Sequence, residues 1–227
     1  MSDDNDADVP ESLCDCCGMT DRPTPRTDGS HDAAASGDSW RPEPSVLEAE
    51  LPEDVQAALG RAVGSEPVET VGAWIATVRR RIGGGPIAVT DLCLAEGETP
   101  HWGTMGGERH YFRCFYDAVL LSAIADHPVD VRTVSPAGAV IEAHAVGSDE
   151  LSVSPPTAVF SFGVARDIER PAGGDVAHEA VYDAVCPYVK AFPDRDAYER
   201  WAAEVPAATV AAPLEGATAL AAALTAE

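Results

Sequence analysis

Cys114 and Asp117 stand three positions apart in the run CFYDAVLLSAIA, where Asp117 is the single charge. On a helix that spacing puts the thiol and the carboxylate on one face, within reach of a common ligand. A carboxylate among apolar side chains is costly to keep ionised. Desolvation should therefore drive its pKa upward and make it a proton donor near neutral pH, unless a partner stabilises the anion. Alone, these two residues fit a buried structural thiol beside a locally paired acid better than a site, because buried thiols are common. Cys186 changes that balance. Pro187 pushes its predecessor toward extended geometry, so Cys186 belongs at a helix-to-strand junction, where loops present reactive groups. By itself it reads equally well as an ordinary half-buried thiol. Two thiols and one carboxylate would suit a soft metal that accepts linear coordination. Structural zinc wants four ligands, and this part of the chain offers no Cys-x-x-Cys or His pair.

The elements that must position these residues follow from periodicity. Residues 1–45 carry 11 acids and 3 bases among Ser, Pro, Gly and Asp, with few large apolar side chains, and read as a disordered acidic tail. VLEAELPEDVQAALGRAV and PVETVGAWIATVRRRIG read as two helices, the second stopped by Gly83, Gly84 and Gly85. PIAVTDLCL is strand-like, and the Gly-rich stretch from Glu96 to Gly107 reads as a loop or a hairpin with a long turn. Residues 46–108 would thus form a small winged-helix-like helical domain. Residues 109–227 would form a mixed or antiparallel β core around the apolar helix that begins near Cys114. There VDVRTVS and AVIEAHAV flank a Pro136-Ala137-Gly138 turn like a β-hairpin, and ELSVS and AVFSFGVA flank Pro155 and Pro156 in the same manner. VAHEAVYDAV reads as a helix, YVKAF as a strand and DAYERWAAEV as a helix capped by Asp194 or Asp196. ATVAA and an Ala-rich terminal helix close the chain. The fold class expected is α+β.

On these residues the chain resembles the organomercurial lyases, also called alkylmercury lyases. The resemblance is carried by HYFRCFYDAVLL with its Cys-x-x-Asp, by VRTVSPAGAVIEAHAV with its TVSP, and by CPYVKAFPDRDAYERWA with Trp201, and it runs from Arg109 to the C-terminus. It implies that Cys114 and Cys186 hold the mercury while Asp117 handles the proton. The reaction would be protonolysis of a carbon–mercury bond to a hydrocarbon and Hg(II), with both thiolates keeping the metal. The family's N-terminal domain is winged-helix-like. Arg113 stands where an aromatic residue is expected and Pro187 where no proline is, and both departures bear on substrate preference and rate. No cofactor is implied beyond Hg(II) as substrate and product. The partners implied are a small organomercurial and, as Hg(II) acceptor, a thiol or a mercuric reductase.

Composition excludes other classes. With 38 acids against 15 bases the formal charge is −23, so a nucleic-acid backbone would be repelled. Such acidity suits a salt-rich cytoplasm. No apolar run reaches the roughly 18 residues of a membrane helix, and the N-terminus lacks a signal peptide's charged and apolar regions, so a cytoplasmic protein without membrane contact is expected. Cys14, Cys16 and Cys17 could capture mercury, but read more simply as exposed thiols of the tail. Cys93, between Leu92 and Leu94, reads as a core residue of a strand, and His101, His110, His127, His144 and His178 show no metal-ligand spacing. Arg79, Arg80 and Arg81 read as a solvated helix end rather than a nucleic-acid face. The rival reading is a non-catalytic soft-metal protein, a mercury or copper binder or metallochaperone using the same two thiols, and Asp117 separates the two because a metal trap has no need of an acid.

Overall fold

Gly106 and Gly107 set the first hairpin. Both adopt positive φ, +58° and +85°, as a two-residue turn between twisted strands demands. They join β1 (Trp102–Met105) to β2 (Glu108–Tyr111). β3 (Val129–Val134) and β4 (Val140–Val146) follow the alternation of their sequence, with Val129, Val131 and Thr133 turned inward, and the expected turn closes on Gly138 at φ +86°. With β5 (Glu150–Ser154) these strands make an antiparallel sheet in the order β2-β1-β3-β4-β5. The computed structural model describes residues 45–81, 85–168 and 183–226. The acidic tail with its three cysteines, Gly83, Gly84, His178 and most of the helix expected at 176–185 lie outside them.

The hairpin expected around Pro155 and Pro156 does not form. β5 alternates between exposed and half-buried residues and stays on the first sheet. β6 (Val159–Ala165) is apolar on both faces and becomes the centre of a second antiparallel sheet, β7-β6-β8, with β7 (Ala191–Phe192) and β8 (Ala207–Pro213). The two prolines lack the N–H groups that would extend a ladder between β5 and β6, and a strand buried on both faces needs neighbours on both edges. PIAVTDLCL is likewise no strand. The Asp91 carboxylate accepts the Ala88 N–H at 2.9 Å and turns Val89–Asp91 into a single 3₁₀ turn.

The fold is α+β, as expected. α1 (Glu53–Ala62) begins later than its apolar pattern, because Pro52 ends the extended stretch in which the Leu51 N–H bonds Glu69 O. α2 (Val71–Arg81) starts where Thr70 Oγ1 accepts the Ala73 N–H at 3.1 Å. α3 (Tyr116–Ala125) buries Asp117, Ala118, Val119, Leu120, Leu121 and Ser122. It lies against β1, β3 and β4 on one side and α5 (Ala217–Thr225) on the other. α4 (Arg195–Ala202) is capped by Asp194, which accepts the Ala197 N–H at 2.7 Å. α1 packs on β6 and β8, α2 on α5, and Leu59, Trp74, Phe115 and Phe160 belong to one apolar cluster. Glu108 and Arg109, on either side of the boundary expected at 108/109, are consecutive residues of β2. The helices and hairpin of 46–108 therefore share a sheet and a core with the rest of the described chain.

Gly163 lies where β8 passes close against β6. A Cβ there would meet Thr209 Cγ2 at 2.6 Å and Ala208 O at 2.8 Å. Gly163→Ala should therefore cost about 1–3 kcal/mol through strand displacement, read as a lower urea midpoint. An unchanged midpoint would show that the two strands are not held this closely.

Candidate active site

The sequence places Cys114 on the buried helix, but the chain bends first. α3 opens at Tyr116, so Cys114 sits in the turn before it, where the Ala118 N–H bonds Phe115 O at 3.0 Å. The pairing with Asp117 survives, because the Cys114 thiol donates to Asp117 Oδ2 at 3.7 Å. Cys114 and Asp117 are only 6% and 7% exposed, and that burial governs their chemistry. It pushes the Asp117 carboxyl up to about 6, against weaker opposing hydrogen bonds from the Cys93 backbone and the Cys114 and Cys93 thiols. Burial first, and then the Asp117 charge, raise the Cys114 thiol far above its usual range. Tyr116 is raised for the same two reasons, and its hydroxyl donates to Ala217 O at 3.4 Å.

Cys186 arrives from 72 residues beyond Cys114 in the chain. It opens the 3₁₀ turn Cys186–Tyr188, with Pro187 at the second turn position and the Val189 N–H bonded to Cys186 O at 3.2 Å. Ser161 anchors this turn. Its hydroxyl donates to Tyr188 O at 2.7 Å and accepts the Lys190 N–H at 3.0 Å, while its own N–H bonds Lys190 O at 2.8 Å. Ser161 is fully buried in an otherwise apolar strand, and a buried hydroxyl must find partners. That polar interruption of AVFSFGVA is the sequence signal for its positioning role.

The structure brings a third thiol to the same place. Cys93 is no strand-core residue. The Leu94–Phe112 bridge and the Arg113 N–H bonded to Cys93 O at 3.0 Å fold its segment onto the approach to Cys114. Hydrogen bonding from Cys93 is among the influences that hold the Asp117 carboxyl down, and hydrogen bonding between Cys93 and Cys186 shifts both of those thiols. That last hydrogen bond lowers Cys93 and raises Cys186, so of the pair Cys93 holds the thiolate more readily. All three cysteines are free thiols, Cys114 buried and the other two half-buried. The signal for Cys93 was its position across the Gly106-Gly107 hairpin from Cys114. Arg113, placed where an aromatic was expected, turns its side chain to solvent.

A cavity of about 680 Å³ opens onto Cys114, Asp117 and Cys186 and is otherwise walled, apart from Asp91 and Tyr116, by largely apolar groups including Trp74, Val78, Phe162 and Leu224. Cys93 meets this wall only through its neighbours Asp91 and Leu92. Among the described residues no group of three or more His, Cys, Asp or Glu is arranged to enclose a metal ion. His101 is a core residue bonded through Nδ1 to Thr133 Oγ1 at 2.6 Å, its pKa lowered to about 4 by burial and then by the Lys190 charge. His144 pairs with Asp130 at the surface, and His110 and His127 lie away from the cavity wall. No described helix is long and apolar enough to cross a membrane.

Comparison with known proteins agrees with the resemblance read from the motifs. The sequence model of the alkylmercury lyase family (MerB) matches residues 94–226. Among solved structures, the mercury-bound form of MerB2 aligns with a TM-score of 0.45 at 15% identity, covering 77% of this chain and 91% of that one. No curated protein matches the chain. The family match spans more than half of the sequence and takes in Cys114, Asp117 and Cys186, and on that match the chain belongs to the alkylmercury lyase family.

Proposed function

We propose that this enzyme cleaves organomercurials by protonolysis, with Cys114 and Cys186 as the mercury ligands and Asp117 as the proton carrier. The observation that carries the reading is the buried Cys114–Asp117 contact in the wall of a largely apolar cavity. The organomercurial R–Hg–X enters with its organic group against the apolar wall. One thiol, Cys186, replaces X and gives its proton to solvent. Cys114 then binds mercury and passes its proton to the Asp117 carboxylate, its hydrogen-bond partner. Two thiolates push electron density onto the mercury-bound carbon, and neutral Asp117 delivers the proton that lets R leave as R–H. Hg(II) remains on the two sulfurs. Each proton is accounted for, mercury changes no oxidation state, and the chain's own groups suffice without a cofactor.

Burial raises Cys114, and hydrogen bonding with Cys93 followed by burial raises Cys186, against ionisation, yet mercury drives the deprotonation itself, since binding a soft ion and losing the proton are one equilibrium. Asp117 poised near 6 serves in both directions at neutral pH. A carrier that only traps mercury gains nothing from such an acid. An external thiol, either a small molecule or that of a mercuric reductase, would collect the Hg(II).

Cys114→Ser and Cys186→Ser should each abolish hydrocarbon release from an arylmercurial in the presence of excess thiol, because a hydroxyl is a poor ligand for a soft ion. Parental release by either variant, followed by gas chromatography, would remove that cysteine from the mechanism.

Asp117→Asn should still bind the arylmercurial while hydrocarbon release falls by roughly two to four orders of magnitude. The same variant reads the buried charge. The folded pKa of about 6 lies above the ordinary value of 3.8, so the stability contributed by the protonated acid is full below about pH 4 and lost as pH rises through 6. Relative to the parent, Asp117→Asn should gain roughly 3 kcal/mol between pH 4 and pH 7, measured by urea unfolding. A pH-independent difference would mean that Asp117 is not desolvated.

A further inference from the structure

The cavity is much larger than a carbon–mercury bond needs. Its volume is about 680 Å³, and about 150 Å³ is enough to take up a benzene ring. Cys114, Asp117 and Cys186 make only part of the wall, and most of the rest is apolar. α2 turns a whole stripe to it. Val71, Trp74, Ile75 and Val78 recur at the spacing of one helical face, and all four line the cavity. Leu120, three positions beyond Asp117 on α3, lines it as well and brings the apolar surface up to the acid. The segment matched by the family, residues 94–226, contains the reactive groups, whereas the α2 stripe precedes it.

We propose that the α2 wall is a subsite for the organic group of the substrate, and that it selects fused-ring arylmercurials over those with a single ring. The assignment rests on the reaction proposed above, which uses Cys114, Asp117 and Cys186 in the same cavity. A phenyl group fills only a fraction of the volume. Two fused rings reach further across the apolar wall and remove more of it, and of themselves, from water. The α2 stripe thus sets which organic group is preferred while the thiols and the acid carry out the cleavage.

Two features favour rings over chains. Trp74 and Phe162, both in the cavity wall, meet edge-to-face with centroids 6.1 Å apart and planes at 63°. A flat aromatic guest extends such an array through its own edges and faces. A rigid ring system also enters without losing rotamer freedom, whereas an alkyl chain of equal carbon count must be ordered as it binds. The wall holds no lysine, arginine or histidine, so the guest that suits it is an uncharged hydrocarbon group.

The test compares phenylmercuric chloride with 2-naphthylmercuric chloride in excess thiol, using the full-length chain. Both carry mercury on a ring carbon, so the ratio of their kcat/KM values reads the subsite rather than the chemistry. The naphthyl group has more carbon to bury and should be favoured about tenfold or more. Val78→Phe, which adds a ring to the wall from a half-buried position of α2, should lower that ratio by about tenfold. A parental ratio of one or less would overturn the proposal, and so would a ratio that Val78→Phe leaves unchanged. A second measurement involves no mercury and needs no variant. Equilibrium dialysis should find one naphthalene bound per parental chain, and a parent that binds none would overturn the proposal even if Val78→Phe fails to fold. Because naphthalene has no carbon–mercury bond, absence of hydrocarbon release from either mercurial would sink the proposed reaction while dialysis still decides whether the cavity takes fused rings.

Discussion

Desolvation of one carboxyl group organises this structure. Asp117 is placed in the first turn of a helix whose remaining buried residues are apolar apart from Ser122, and nothing cationic stands among the groups that set its pKa. A salt bridge would have held it ionised and useless as an acid. Thiols and one backbone N–H are weak enough partners to leave burial dominant. The helix must therefore be covered on both sides, and it is, by the five-stranded sheet and by α5. Gly103 shows how close the cover lies, since a Cβ there would come within 2.9 Å of Val129 Cγ1 and 3.4 Å of Ala118 Cβ. The cost of an uncompensated acid is met by that packing, and the acid's readiness to give and take a proton is its consequence.

The second thiol is held by different physics. Cys186 lies 69 positions beyond Asp117 in the chain, and no local rule could bring it there. What fixes it is the demand of one buried hydroxyl, Ser161, for partners, which ties the 186–190 segment to the central strand of the second sheet. Phe160, next to it, packs edge-to-face on Phe115 at 6.5 Å, and Phe115 adjoins Cys114. The two cysteines are thus registered to each other through neighbouring residues of β6, one polar and one aromatic. A strand buried on both faces is stiff, and it holds the two cysteines in a fixed relation to each other.

Local features of this fold were legible in the sequence. The apolar run with its single acid gave α3, the Pro-Ala-Gly turn gave the β3–β4 hairpin, and Asp194 capped the helix it was expected to cap. Cys114, Asp117 and Cys186 were legible through motif order, and the structure brings the three to one cavity. What failed was non-local. β5 and β6 look like hairpin partners because both are strand-like and adjacent, and the two prolines between them together with the unbroken burial of β6 send it to another sheet. Cys93 looked like core because Leu92 and Leu94 flank it. Its place beside Asp117 depends on a chain reversal at Gly106-Gly107 and on the Asp91 turn, two backbone events whose combined effect no periodicity reports.

The acidity of the whole chain leaves the site untouched. A formal charge of −23 could be expected to raise every acid, Asp117 included, yet its pKa is set by burial and by three cysteine contacts, with no other carboxylate contributing. Exposed charges are screened over a Debye length of about 10 Å at 0.1 M salt, and the helix and sheet that desolvate Asp117 also keep it away from them. Screening strengthens as salt rises, whereas desolvation does not depend on mobile ions. The surface can therefore carry charge without disturbing the buried carboxyl, and the pKa of Asp117 answers to the packing and the thiols around it.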